Sequence, residues 1–413
     1  MLRRIPLLAI GTVLVVAALS TGLSFLFFLV YLGVFVGLGS YVVTRLGLTD
    51  LEAGFAVAQV HGHVGDQLRA TVTVRNAGRL PKLWLETYNP SNLPVPLPGR
   101  ALSLGPRSQR TWNAKVPLTR RGHFRVDALQ VRTGDPFGFF ESVASVGHGV
   151  SVVVYPRVER LPHWRIPTAN LEGSHASRER ALQTTPLATS VRPYAPGDAF
   201  NRIHWKSTAR HGEIQVKEFD LEQTADVWIF LDLDAAVQAG AGDRSTVEVA
   251  VRAAASIAEK ALAENRAVAV TTNGHHPATL PPDRGPRQRH KIMQLLAAVE
   301  GDGPAPLAEA LIVTLPRVRR GTTAVVVTAS DEPEWVRPLA TLRPRGLGCI
   351  VVQLDAPSFS VPAAPRGAPS DRPPASPDPE AEQAARAIRH RLAEFDLRTV
   401  VVRADDRLGE VLG

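Results

Sequence analysis

Three groups of side chains in this sequence are of types that do chemistry. The first is a set of oxygen donors at the ends of apolar runs. Asp232 and Asp234 close the run that starts at Val227, and Asp331 follows the run that ends at Thr328. Convergent oxygens of this kind suit a hard cation such as Mg²⁺, and a rim of solvated loop carboxylates is the competing reading. The second group is the stretch Ser190–Glu222, which gathers Arg192, Tyr194, Asp198, Arg202, Trp205, Lys206 and Arg210. Arg202, Lys206 and Arg210 suit an anion or an acidic partner. Alternatively, Asp198, Glu213 and Glu218 make the stretch an ion-pair clasp at a domain junction. The third group is His61 and His63, which share one face of a strand and lack a nearby third metal ligand.

Other chemistry is missing. The sequence has no Gly-x-x-x-x-Gly-Lys phosphate loop, no Gly-x-Gly-x-x-Gly, no His-Glu-x-x-His and no Gly-x-Ser-x-Gly. Its single cysteine, Cys349, excludes an intramolecular disulfide, and in the apolar run LGCIVVQL it reads as an inert thiol. The net charge is +8 over 413 residues. Arg157–Lys217 carries ten basic residues against five acidic ones, so much of the excess sits there. Such a balance suits an anionic membrane face. Nucleic acid is disfavoured, because no exposed aromatics are expected between the basic residues.

These groups have to be positioned by the elements around them. Ile5–Thr44 contains no charged residue and no histidine. As one helix it would be about 60 Å long, twice a bilayer core, so a break at Ser20-Thr21-Gly22 predicts a hairpin of two spans, Ile5–Leu19 and Leu23–Val43. Arg3, Arg4 and Arg45 flank it, which places both ends and the large domains in the cytoplasm. A cleaved signal peptide ending at Ala18-Leu19-Ser20 is the alternative. Strand-like alternation then predicts an antiparallel sandwich from Gln67–Arg75, Leu83–Tyr88, Arg110–Val116, His123–Val131 and Val150–Tyr155. Asp135-Pro136-Phe137-Gly138 is a turn, with Phe137, Phe139 and Phe140 plugging one end of the sandwich. A polar connector, 167–186, follows. Asp198 is placed to cap a helix that carries Arg202, Lys206 and Arg210 on one face and ends at Gly212, with Trp205 as a buried anchor. Beyond Ala225, strands and helices alternate as in a doubly wound parallel sheet. Ligands of such sheets sit at the carboxyl ends of the strands, where Asp232, Asp234, Thr328 and Asp331 fall. The domains are thus 1–50 (hairpin), 51–162 (β-sandwich-like), 163–224 (linker and signature segment) and 225–413 (α/β, with a flexible Pro-rich loop at 357–379).

The pattern Arg-x-Tyr-x-x-Gly-Asp, then Arg-x-Ile-x-Trp-Lys-x-x-Ala-Arg, resembles the signature of the domain of unknown function 58 family. Here it reads Arg192, Tyr194, Gly197, Asp198, Arg202, Ile203, Trp205, Lys206, Ala209 and Arg210. Asp135–Gly138 and Tyr155-Pro156 match further features of that family. The resemblance implies a von Willebrand factor A-like α/β domain and a multi-pass place in the inner or plasma membrane of a bacterium. It also implies a MoxR-type AAA+ ATPase and a transglutaminase-like membrane protein as partners. Metal-binding domains of the von Willebrand type carry Asp-x-Ser-x-Ser, a Thr and a further Asp. Here the first loop is Asp232-Leu233-Asp234-Ala235-Ala236, and Ala305 stands where the Thr belongs. The expected function is therefore a membrane-anchored, non-catalytic scaffold without a cofactor. The alternative is a Mg²⁺-type binding protein or hydrolase at the Asp232, Asp234 and Asp331 rim.

Overall fold

The computed structural model describes residues 5–165, 190–195, 198, 200, 203–218, 226–360 and 379–412. The expected connector 167–186, the Pro-rich stretch 361–378, and the signature residues Gly197 and Arg202 lie outside the described residues. The chain forms two compact units, Met1–Arg157 with Met293–Ala298, and Val158–Ile292 with Val299–Gly413.

The first unit begins with α1 (Ile5–Thr21) and α2 (Ser24–Gly47). α1 runs through Ser20 and Thr21, whose hydroxyls bond back to the Ala17 carbonyl. The break falls at the last residue of the expected Ser20-Thr21-Gly22, at Gly22, whose φ of 68° is the left-handed conformation that ends helices. α2 is long and apolar enough to cross a membrane, and α1 is a shorter apolar helix. Ten strands follow: β1 (Leu51–Val57), β2 (His61–His63), β3 (Gln67–Asn76), β4 (Lys82–Tyr88), β5 (Arg100–Leu104), β6 (Gln109–Pro117), β7 (Gly122–Val126), β8 (Leu129–Gly134), β9 (Glu141–Val146) and β10 (Val150–Tyr155). They form three sheets, ordered β1-β3-β6, β2-β10-β7 and β5-β4-β8-β9.

β3 serves two cores. Leu68 and Ala70 bury with Val126, Val152 and Val154, and Val72 and Val74 bury with Leu85, Leu129 and Val131. This explains why the single strand expected at His123–Val131 is two. Val126 and Leu129 are both fully buried but belong to different cores. An odd spacing cannot place both on one face of a straight strand, so the chain changes sheet at Asp127-Ala128. β1, β5 and β9 were not expected, while β2 is the strand on which His61 and His63 were placed.

The second unit holds a six-stranded sheet. Its elements are β11 (Ser190–Pro193), α3 (Trp205–His211), β12 (Gln215–Glu218), β13 (Val227–Leu231), α4 (Thr246–Ala263), β14 (Val268–Thr272), β15 (Ala278–Asp283), the first part of α5 (Gly285–Ala298), α6 (Leu307–Thr314), β16 (Thr323–Thr328), α7 (Val336–Ala340), β17 (Gly348–Leu354), α8 (Ala356–Ser360), α9 (Pro379–Glu394), β18 (Arg398–Val402) and α10 (Leu408–Val411). The sheet order is β15-β14-β13-β16-β17-β18, parallel except for the edge strand β15. β13 is buried along its whole length. Trp228 and Phe230 turn one way, into a cluster with Leu311 of α6, Val336 and Leu339 of α7 and Ile388 of α9. Their neighbours turn the other way, the side where the alanine-rich α4 packs on β13.

Cys349 packs against that cluster, and burial pushes its thiol up to about 12. It stays protonated and unreactive near neutral pH. Ala356–Ser360, expected to open the flexible loop, is instead a short helix with Phe359 buried. The strip from Val158 also belongs to this unit. The Glu159 amide donates to Ser256 Oγ at 2.9 Å, and Arg252 pairs with Glu159 at 3.3 Å.

Candidate functional site

β13 and β16 are neighbours in the sheet, while the strand that follows β13 in sequence, β14, lies on its other side. The strand order therefore reverses at β13, and the crevice of an open parallel sheet opens at such a reversal, beyond the carboxyl ends. Asp232 and Thr328 sit there. The Thr328 hydroxyl donates to Asp232 Oδ2 at 2.6 Å. Asn273, beyond β14, donates from Nδ2 to Asp232 Oδ1 at 3.0 Å and accepts from the Leu233 amide at 2.6 Å. The Asp234 amide donates to Asp232 Oδ1 at 3.2 Å.

Asp232 is thus no solvated rim group. It is 1% exposed, with both oxygens engaged by the protein. Burial, the largest influence, raises its pKa above the ordinary carboxylate value, against the hydrogen bonds from Thr328 and Asn273. Asp234 turns its own carboxylate to the Ala236 amide at 3.0 Å. Asp331 takes part in a different cluster, accepting from Gln353 Nε2 at 3.3 Å. Among the described residues no group of three or more His, Cys, Asp or Glu side chains is arranged to hold a metal ion. His63 bonds the Pro156 carbonyl at 2.8 Å through Nδ1, and both His61 and His63 lie against the Tyr155 ring.

Asn273 and Gly303 were not singled out from the sequence. Gly303 donates to the Leu233 carbonyl and accepts from the Ala235 amide, both at 2.9 Å. A Cβ there would stand 2.2 Å from the Asn273 carbonyl oxygen. The available signal was position alone: Thr271-Thr272-Asn273-Gly274 leaves a strand at its carboxyl end. Ala305, where the resemblance called for a threonine, meets this site through its carbonyl, which accepts from Asn273 Nδ2 at 3.1 Å.

The signature segment is a small unit of its own. β11 pairs antiparallel with β12, with Arg192 opposite Val216. Ile203, 4% exposed, bridges to Val216, and the His204 amide donates to the Gln215 carbonyl. The helix begins at Trp205, so the expected cap at Asp198 is not made. His204 caps instead, its Nδ1 accepting from the Ser207 amide at 3.2 Å. Asp198 has another task. Arg192 clasps it with two bonds of 2.8 and 2.7 Å, and the Ala195 amide adds a third at 2.9 Å. The bidentate pair fixes the turn after β11. Gly212, with φ 74°, closes the helix as expected.

Trp205 is the main correction to the sequence reading. It is 69% exposed rather than buried. The helix inserts Ser207 and Thr208, the latter accepting from the Gln215 amide through its hydroxyl. That rotation leaves Trp205, Lys206, Ala209 and Arg210 on the open side, since i and i+4 share a face. No acidic side chain among the described residues pairs with Lys206 or Arg210. Phe200, 75% exposed, stands with Tyr194 at a centroid distance of 6.4 Å. The signature residues thus divide into a fold-forming set (Arg192, Asp198, Ile203) and a displayed set (Trp205, Lys206, Ala209, Arg210).

The family described as "Protein of unknown function DUF58" matches residues 190–363, which begins at β11 and runs past β17. The uncharacterized protein YeaD of Bacillus subtilis (strain 168) is 25% identical over 288 residues, 68% of this chain and 70% of that one. The uncharacterized protein Rv1480 of Mycobacterium tuberculosis (strain ATCC 25618 / H37Rv) is 27% identical over 160 residues, 37% of this chain and half (50%) of its own length. Among solved structures, an aerotolerance-related membrane protein from Bacteroides fragilis NCTC 9343 is similar over 46% of this chain and 94% of that one, at 19% identity and a TM-score of 0.31. The names of the two relatives assign no activity.

Proposed function

We propose that this chain is a membrane-anchored scaffold of the DUF58 family, without catalytic activity of its own. Its α/β unit is von Willebrand factor A-like and docks a cytoplasmic MoxR-type AAA+ ATPase through the signature segment. The observation that carries this reading is the displayed face of α3, with Trp205 flanked by Lys206 and Arg210 and with Phe200 exposed nearby in sequence. Aromatic residues and arginine dominate the energetics of protein interfaces, and the two cations call for an acidic patch on the partner. The sealed state of Asp232 supports the non-catalytic part: its oxygens already accept from Thr328, Asn273 and Asp234.

In this reading α1 and α2 both cross the membrane. α1 has 17 residues, about 26 Å, slightly short for a bilayer core and accommodated by local thinning. Arg3, Arg4 and Arg45 then hold both hairpin ends on the cytoplasmic side.

The test is crosslinking in intact membranes with mass-spectrometric identification, comparing wild type, Trp205→Ala and Arg210→Glu. The expected result is an AAA+ ATPase crosslinked to wild type and lost in both variants at equal membrane abundance. Recovery of the same ATPase from all three samples would show that α3 is not the docking face.

A further inference from the structure

The turn Asp135–Phe140 is an unusual piece of surface. It displays Phe137, 61% exposed, with Phe139 stacked on it at 5.6 Å. The sequence suggested that these rings plug the sandwich, and they do not. Phe140 packs edge-on against Tyr41 of α2 at 5.7 Å. Phe139 and Phe140 border the same apolar groove as Gly33, Val36 and Gly37 of α2.

The depth of those helix positions follows from the axial rise. Arg45 is the first charged residue after the apolar run, so the hydrocarbon margin lies at about the turn before it. Tyr41 is about 6 Å below Arg45 along the helix and Gly37 about 12 Å. Phe139 and Phe140, which border the groove beside Gly37, are therefore level with the outer hydrocarbon, beside the helix.

Backbone N–H groups at that depth need partners within the protein, and those of this turn have them. Asp135 accepts from the Phe137 amide through Oδ2 at 2.9 Å and from the Phe140 amide through Oδ1 at 2.6 Å. The Phe139 amide bonds the same carboxylate, and the Gly138 amide donates to the Asp135 carbonyl at 3.1 Å. Pro136 has no N–H to satisfy. The carboxylate is itself enclosed, 7% exposed. Every amide from Phe137 to Phe140 is thus consumed by one residue, and the exposed side chains of the tip, Pro136 and Phe137, are apolar.

We propose that Asp135–Phe140 is a lipid-inserting wedge. Phe137 and Phe139 enter the interfacial layer of the bilayer that α2 crosses, and the β-rich domain is held against the membrane surface instead of swinging on the helix end. The occupant of the exposed aromatic face is the acyl and glycerol region of the lipid, in continuity with the lipid around α2. The wedge rests on the membrane-anchor reading of α2.

The test uses the full chain in phosphatidylcholine and phosphatidylglycerol vesicles. In a Cys349→Ser background, single cysteines replace Phe137, the exposed Phe28 in the second turn of α2, or the exposed Gln67 at the start of β3. Each is nitroxide-labelled, and its accessibility to oxygen and to a water-soluble nickel chelate is measured by power-saturation EPR. Phe137→Cys is expected to favour oxygen, as Phe28→Cys does, while Gln67→Cys favours nickel. Oxygen preference at Phe28 with nickel preference at Phe137 would overturn the wedge alone. Nickel preference at both would overturn the anchor reading and the wedge with it.

Discussion

Asp331→Asn is expected to stabilise the second unit at neutral pH, and the size of the effect can be worked from the structure. Burial is the main reason that Asp331 titrates at about 6 instead of 3.8. The neighbouring Asp355 carboxylate adds to the rise, and Arg389 opposes it. Undiscounted, that displacement corresponds to about 3 kcal/mol. The side chain is only half-buried, so solvent screening reduces the figure to about 1–1.5 kcal/mol. The folded pKa lies above the unfolded one. The favourable state is therefore fully present below about pH 4 and is lost as pH rises through about 6. At pH 7.5 the charged carboxylate carries the whole penalty, and an asparagine carries none.

Asparagine also keeps the oxygen that accepts from Gln353 Nε2. Thermal unfolding of the full chain in detergent, followed by the fluorescence of the buried Trp228 and Trp335, reads the result. We expect a Tm gain of about 3–5 °C at pH 7.5 that falls to a small fraction of that at pH 4. An equal gain at both pH values, or a loss at pH 7.5, would refute the reasoning, because only a titrating penalty vanishes in acid.

Three further outcomes are expected. Gly303→Ala forces a Cβ to 2.2 Å from the Asn273 carbonyl oxygen and 2.8 Å from that of Leu233. It should lower the stability of the second unit by about 3 kcal/mol, read as a lower Tm with the same probes. Lys82→Met removes the ammonium that donates to the Leu46 carbonyl at 2.6 Å, at the end of α2. The Leu46 carbonyl keeps the Thr49 hydroxyl at 2.8 Å, and loss of the charge-assisted bond should cost about 1–3 kcal/mol, seen as faster amide exchange at Leu46–Thr49. Trp205→Ala should change stability by less than about 0.5 kcal/mol, as an exposed substitution does. A large drop in Tm would show that the ring is part of the core after all.

Periodicity was enough to read the strands with uninterrupted patterns. Val150–Tyr155 has the expected limits, and the strand read at Gln67–Arg75 runs one residue further, to Asn76. Weakly patterned strands such as β1 and β9 were missed, since they gain their order from neighbours and not from their own residues. The candidate site was legible as residue types but not as partners. Asp232 was visible at the end of an apolar run, and nothing local shows that Thr328, 96 residues later, would donate to it. Trp205 was misplaced for a similar reason. A tryptophan in an amphipathic stretch is most often buried, and only the register set by His204 and Thr208 against β12 turns it outward.

The sequence by itself determined what depends on neighbouring residues: an uncharged apolar run too long for one helix, alternating strands, strand–helix alternation, the Asp135–Gly138 turn and the helix stop at Gly212. Tertiary structure decided the rest, because it alone sets which distant groups meet. It made Asp198 the counterion of Arg192 in place of a helix cap. It closed Asp232 inside a ring of donors from three strand ends. It also carried the Phe137–Phe140 rings away from the sandwich core to the flank of α2, where their own turn had already satisfied every amide.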